Sequence, residues 1–226
     1  MRLIGLAGPA RVGKDTVADY LVEERGFIKF SFSDALYAEV SKAFNIPIDT
    51  LMRADLKEEP TQWLALRYCE DPSFVAAMGP KAGDDADYFR NCPRSPRWVL
   101  QRWGTAYRRA QDPDYWIKKA DSFIAEFLKA VEAGDIPEAG GLVNTSVRFP
   151  NEQQFIRDRG GEVWHIYRRK AEAEHLGTYE SERRLPVLVD DRELYNNSTV
   201  ERLRTATALF LSTDSRRIIL EGASND

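Results

Sequence analysis

Residues 3–22 leave few folds open to this chain. Leu3-Ile4-Gly5-Leu6-Ala7 is an apolar run of strand character, and Gly8-Pro9-Ala10-Arg11-Val12-Gly13 is a loop bounded by glycines. Lys14-Asp15-Thr16-Val17-Ala18-Asp19-Tyr20-Leu21-Val22 then starts an amphipathic helix. Strand, glycine loop and helix in that order suit a polyphosphate. The two glycines let backbone N–H groups turn inward around an anion, Lys14 adds a mobile positive charge, and the helix aims its positive dipole end at the same place. The run matches G-x-x-x-x-G-K-[ST] except that Asp15 stands where Ser or Thr is usual, with the hydroxyl one place later at Thr16. A carboxylate at Asp15 either holds a water of Mg²⁺ or caps its own helix. The segment predicts a nucleoside-triphosphate site in which Lys14, expected to be exposed, bridges the outer phosphates and Thr16 donates to an inner one.

At 226 residues the expectation is one domain, 1–226, with room for an insert. With 43% hydrophobic and 30% charged residues the chain can build a core and is not compositionally disordered. A net charge of −4 argues against bulk nucleic-acid binding, though not against a local basic site. Cys69 and Cys92 lie apart, without metal-ligand spacing, and fit reduced thiols of a cytoplasmic protein. No signal peptide and no membrane span are expected.

Further along, Phe27–Phe32 alternates like a strand, and Ser33 or Asp34 is placed to cap a helix carrying Leu36, Val40 and Phe44. From residue 45 to 96 the pattern loosens into an insert, with short helical stretches near Leu51–Lys57 and Thr61–Tyr68 and an exposed excursion from Pro80 to Pro96. A helix is expected at Arg97–Trp103, broken at Gly104, then a long one from Asp114 to Ala133. Gly140–Thr145 predicts a buried strand, Pro150 opens a helix that Gly160-Gly161 ends, and Glu162–Tyr167 is a further strand. A charged segment at 168–185, a short strand near Leu194–Tyr195 and a helix from Ser198 to Leu211 follow. Strands alternating with helices after a phosphate loop imply an α/β fold, a parallel sheet flanked by helices with ligands at the carboxyl ends of its strands.

Three more clusters stand at such ends. Arg97 and Gln101 share a helical face, the Gly104 break lets backbone and the Thr105 hydroxyl approach a ligand, and nearby aromatics including Trp116 offer a stacking surface. The competing reading is a helix with core tryptophans and solvated arginines. Thr145–Glu152 lies between a strand and a helix, where Arg148 can clamp phosphate and Glu152 can orient it or accept from a substrate hydroxyl; alternatively the two form a mutual salt bridge. Arg168-Arg169-Lys170, with Glu174-His175 and Ser181–Arg184, either closes over a phosphoryl group or is a solvated loop. His165, within an apolar strand, is expected to be packed rather than catalytic.

Taken in this order, the residues resemble the phage-type deoxynucleoside monophosphate kinases, P-loop nucleotide kinases that carry G-x-x-x-x-G-K-D-T at the N-terminus. The resemblance continues through Leu100-Gln101-Arg102-Trp103-Gly104-Thr105, through Arg148-Phe149-Pro150-Asn151-Glu152 with Gly160-Gly161, and through Ser181-Glu182. It implies a P-loop nucleoside monophosphate kinase-like fold with acceptor-binding and lid segments, the lid at about 168–185. It also implies ATP and Mg²⁺ as phosphoryl donor and metal, and a deoxynucleoside monophosphate as acceptor. Gly8, Arg11, Gly13, Lys14, Asp15 and Thr16 would then hold ATP, with Asp15 and Thr16 on the metal. Arg53, Arg97, Gly104, Thr105, Trp116, Arg148 and Glu152 would surround the acceptor. Lys14, Arg148, Arg168 and Arg169 would act on the phosphoryl group in transit.

Three positions depart from the family: Ser146 where Asp is usual, Ala106 where an acid is common, and Tyr37 where Lys is common. They leave two other readings open. One is a kinase acting on a hydroxymethylated pyrimidine in DNA, with Arg90, Arg94, Arg97, Arg102, Arg108 and Arg109 as a local track. The other is a nucleotide-binding protein without turnover. The exposed face of the long helix leaves room for a homodimer without requiring one.

Overall fold

The computed structural model describes residues 1–81, 83–169 and 184–221. Six strands form one sheet: β1 (Arg2–Ala7), β2 (Phe27–Phe30), β3 (Gly141–Val147), β4 (Glu162–Tyr167), β5 (Arg192–Asn196) and β6 (Arg217–Leu220). Their order is β2-β3-β1-β4-β5-β6, and every neighbouring pair is parallel. This is the flanked parallel α/β sheet that the sequence implies. The chain runs to one side of β1 for β2 and β3, then crosses to the other for β4. The carboxyl ends of β3, β1 and β4 therefore surround the switch point, where open parallel sheets place ligands.

One face of the sheet is covered by α1 (Lys14–Arg25) and α9 (Val200–Ser212). Ile4, Leu6, Val143, Trp164 and Ile166 pack there against Val17, Leu21, Leu203 and Phe210. Gly26 ends α1 as expected, in a left-handed conformation from which its N–H reaches the carbonyls of Leu21 and Val22. The other face carries α8 (Pro150–Asp158), whose Ile156 is wholly buried and whose Phe155 meets Phe32 edge-on at 5.7 Å. β6, short and half exposed on an edge, has no counterpart among the sequence-based expectations.

Backbone contacts divide the chain into two compact units, Met1–Phe32 with Phe123–Asp226, and Ser33–Ser122. The whole sheet belongs to the first. The second starts and ends well outside the expected insert of 45–96, because α2 (Asp34–Phe44) packs with elements beyond residue 96. It also contains α3 (Ile48–Met52), 3₁₀ turns at Gln62–Leu64 and Leu66–Tyr68, α4 (Pro72–Ala77), α5 (Ala86–Asn91) and α6 (Pro96–Gln101). The helix expected near Leu51–Lys57 ends at Met52, and the excursion after Pro80 contains α5. A long helix, α7 (Tyr115–Ala133), starts in this unit and continues into the first.

The expected break at Gly104 does not occur. α6 runs on into a π-helical stretch, Arg102–Arg109, with Gly104 buried inside it. A Cβ at Gly104 would lie 3.3 Å from Leu36 Cδ2, so the glycine serves close packing on α2. Among the described residues no helix is long and apolar enough to cross a membrane.

Candidate phosphate-binding site

The loop between β1 and α1 takes the shape its glycines allow. Gly8 has φ +137° and Gly13 φ +108°, both favoured by glycine, and Arg11 between them is also left-handed at φ +64°. At Gly8 a side chain is excluded twice over, since a Cβ would come 2.3 Å from the Ile166 carbonyl oxygen of β4. Gly13 is the N-cap of α1 and has no side chain with which to cap it. The first helical bond is Val17 N–H to the Gly13 carbonyl at 3.1 Å. The N–H groups of Lys14, Asp15 and Thr16 therefore have no carbonyl within the helix and form a donor set for an anion.

Lys14 is half-buried rather than exposed, a correction to the sequence-based expectation. Its Nζ curls back over the loop and donates to the carbonyls of Gly8 (2.8 Å) and Pro9 (2.6 Å). Burial first, then the charge of Arg148, lower its pKa from 10.5 to about 8, against an opposing contribution from Asp15. Arg148 is thus near enough for its charge to act on Lys14. Asp15 is exposed and Thr16 half-buried in the first turn of α1.

Local geometry brings Arg148 there. β1 and β3 lose register between Gly5 and Ala7, which pair with Asn144 and Val147, so β3 carries one extra residue just before its end. Beyond it, Glu152 Oε2 accepts the N–H groups of Arg148 (2.7 Å) and Phe149 (3.1 Å). Glu152 is buried, and it shapes the turn that presents the exposed Arg148. Oε2 of Glu152 is thus engaged by the backbone of its own turn, at the residue expected to orient phosphate, accept from a substrate hydroxyl or pair with Arg148. Ser146, which stands in the family's Asp position, accepts from the Phe32 N–H (3.0 Å) and the Ser31 hydroxyl (2.5 Å), tying the exits of β2 and β3 together.

Arg168 and Arg169 leave the end of β4, both exposed. The Arg169 N–H donates to Asn197 Oδ1 at 2.9 Å, and its guanidinium pairs with Glu221 at 3.1 Å. Most of the expected lid, including Lys170, Glu174, His175, Ser181 and Glu182, lies outside the described residues. His165 is packed, as expected, and is engaged in a buried network. Its Nε2 lies 2.9 Å from Asp191 Oδ2, while Arg157 forks onto the same carboxylate. Burial opposes the charge on Asp191, but the bonds from His165 and Arg157 hold its carboxyl below the usual range.

The remaining acceptor-side candidates lie in the second unit. Arg53 is exposed and forks onto Asp55, with bonds of 2.6 and 3.1 Å. Arg97 is paired with Glu58, and Thr105 is exposed. Gly104 and Trp116 are both buried, and the Trp116 indole donates to the Gly104 carbonyl at 3.1 Å. That places Trp116 in the interior of its unit rather than on an open stacking surface.

The centre of this unit is Glu39, which the sequence did not single out. Its carboxylate accepts from Trp103 Nε1 and Arg108 Nε, each at 2.8 Å, and from the Tyr115 hydroxyl. Burial and the Glu39 bond push the Tyr115 hydroxyl up to about 12. In the first unit the residue overlooked was Asn196, whose Nδ2 donates to the Val12 carbonyl of the glycine loop at 2.8 Å.

The sheet order, the glycine loop and its uncapped helix are in keeping with a P-loop nucleotide kinase-like fold. No family model matches the chain. Over 212 residues, 89% of the chain, it is 28% identical to a protein of Acanthamoeba polyphaga mimivirus named "Putative deoxynucleotide monophosphate kinase", 91% of which is covered.

Proposed function

We propose that this protein transfers the γ-phosphoryl group of ATP to the 5′-phosphate of a deoxynucleoside monophosphate, yielding ADP and the diphosphate. The observation that carries the reading is the glycine loop between β1 and α1, over which Lys14 folds to the Gly8 and Pro9 carbonyls, with the first-turn N–H groups of α1 lacking a carbonyl within the helix and the Arg148 charge acting on Lys14, at the carboxyl edge of the sheet. The similarity to the mimivirus protein, along nearly the whole of both chains, supports nucleotide kinase chemistry. The resemblance to phage-type enzymes supports a role in supplying DNA precursors.

The loop N–H groups would take the β- and γ-phosphates, and Lys14 Nζ would exchange the Gly8 and Pro9 carbonyls for phosphate oxygens. Arg148 would lie against the group in transit, with Arg168 a further cation at the same edge. An acceptor phosphate oxygen forms the new bond as the bond from the γ-phosphorus to the bridging oxygen breaks. A dianionic acceptor has no proton to lose, so alignment and charge neutralisation are what the side chains supply.

Among the described residues no group of three or more His, Cys, Asp or Glu could hold a metal. The oxygens of Asp15 and Thr16 suit Mg²⁺ shared with phosphates and water, the way this ion is commonly held. When bound it neutralises phosphate charge.

The test is a coupled assay of ADP release with ATP, Mg²⁺ and each deoxynucleoside monophosphate in turn. Turnover with one or a few acceptors is expected. Silence across the panel with ATP still bound would overturn the proposal, in favour of an acceptor base in DNA or a protein without turnover.

A further inference from the structure

Asn196 closes β5 and is 3% exposed. Its Nδ2 donates to the carbonyl of Val12 at 2.8 Å, the peptide group immediately before Gly13. The same nitrogen lies 2.7 Å from where a Cβ at Gly13 would stand, so the amide fills the space that the glycine leaves. Its Oδ1 is buried and, among the described residues, has no hydrogen-bond partner. An orphaned acceptor has a desolvation cost, which an apolar side chain of similar size would avoid. The next residue, Asn197, accepts the backbone N–H of Arg169 through its Oδ1 at 2.9 Å. Two consecutive amides at the end of β5 thus grip the backbone of the glycine loop and of the arginines after β4.

We infer that Asn196 is a positioning residue for the phosphate loop. By holding the Val12 carbonyl, it turns the Val12–Gly13 peptide so that the N–H groups at the start of α1 face the donor phosphates. This rests on the reading of the loop as an ATP site. A merely structural role would affect folding but not nucleotide affinity. A positioning role would affect donor affinity and leave the acceptor KM alone.

The Asn196→Asp variant keeps the shape but sets a carboxylate oxygen against the Val12 carbonyl. Since no described residue donates to Oδ1, that carboxyl would favour its protonated form, which can donate to Val12 again. The experiment is equilibrium binding of Mg-ADP to wild type and variant from pH 5.5 to 8 (a window on the order of the carboxyl's titration range when raised by burial), with donor and acceptor KM alongside.

The variant is expected to bind about tenfold more weakly at the alkaline end, the effect of roughly one hydrogen bond. The ratio to wild type should shrink as pH falls, and the acceptor KM should stay unchanged. Asn196→Ala, which buries no charge, should show the weakening without the acid recovery. Equal affinity of wild type and variants would overturn the inference. So would failure of both variants to fold, which would assign Asn196 to the fold alone. Wild type that binds no Mg-ADP would instead refute the ATP site itself.

Discussion

The glycine-loop end of the first unit and the interior of the second handle polar groups in opposite ways. In the unit of the sheet, the candidate chemistry lies where backbone donors have no carbonyl within their helix, at the glycine loop and the start of α1. Beside that loop the buried side chains of Glu152 and Asn196 hydrogen-bond to backbone and so shape loops, apart from the His165–Asp191–Arg157 network elsewhere in the unit. In the unit of residues 33–122, side chains bind side chains. Glu39 gathers a tryptophan, an arginine and a tyrosine, and Asp71 takes the Tyr107 hydroxyl at 3.2 Å while capping α4 through the Phe74 N–H at 2.9 Å. A site made of backbone geometry tolerates few shapes but many side chains. A network of side chains depends on each member, and its loss is felt first as stability.

The sharpest test of that contrast is Lys14→Ala. We expect kcat to fall about 100- to 1,000-fold, the scale of losing one preorganised charge on the transition state. The unfolding midpoint should stay within a few degrees (roughly a 1 kcal/mol change). Retained activity would remove the loop from the mechanism.

The pH profile sharpens the same point. Lys14 must be protonated to hold phosphate, and its pKa is lowered to about 8. Donor kcat/KM is therefore expected to be full below pH 8 and to fall as pH rises through it. The linked stability has the opposite sign. Folding binds less proton at Lys14 than unfolding does, so this contribution opposes folding below pH 8 and fades as pH climbs toward the ordinary value of 10.5.

Arg148→Ala should lower acceptor kcat/KM by about 2–4 kcal/mol, the range for a lost charged phosphate contact. It should also move the alkaline limb of the Lys14 profile upward, by less than burial accounts for. An unmoved limb and intact kinetics would make Arg148 structural.

Glu39→Ala tests the other unit. It leaves three donors facing a gap and should destabilise the protein by about 1–3 kcal/mol in denaturant unfolding, with Mg-ADP affinity unchanged. A change in that affinity would break the division of labour between the units. The smallest effect is expected for Arg53→Ala, whose ion pair with Asp55 is exposed. Stability should not move, so a raised acceptor KM would identify Arg53 as an acceptor contact.

The contrast also explains what was legible in the sequence. Strand, glycine loop and helix could be read because their spacing is local: Gly8, Gly13 and Lys14 are fixed by a single turn of chain. The same holds for Gly26 at the end of α1 and Pro150 at the start of α8. Gly104 was misread because a glycine in a helical pattern signals either a break or close packing. Only Leu36, 68 residues earlier in the chain, decides between them. The turn-shaping bonds of Glu152 were not legible because a carboxylate after an arginine has the same spelling whether it faces solvent or caps its own turn. β6 escaped notice because a short, half-exposed edge strand has no strong period.

The sequence by itself determined the parallel α/β class, the place of the glycine loop and the cations offered at the strand ends, because these follow from local periodicity and from glycine's freedom at positive φ. Tertiary structure alone decided which polar groups remain available. Lys14 is folded back on its loop, Glu152 and Trp116 are drawn inside, and Asn196 reaches a carbonyl 184 residues away. A hydrogen bond between distant segments leaves no pattern in either. It exists only once the sheet has set β5 beside β4 and β4 beside β1.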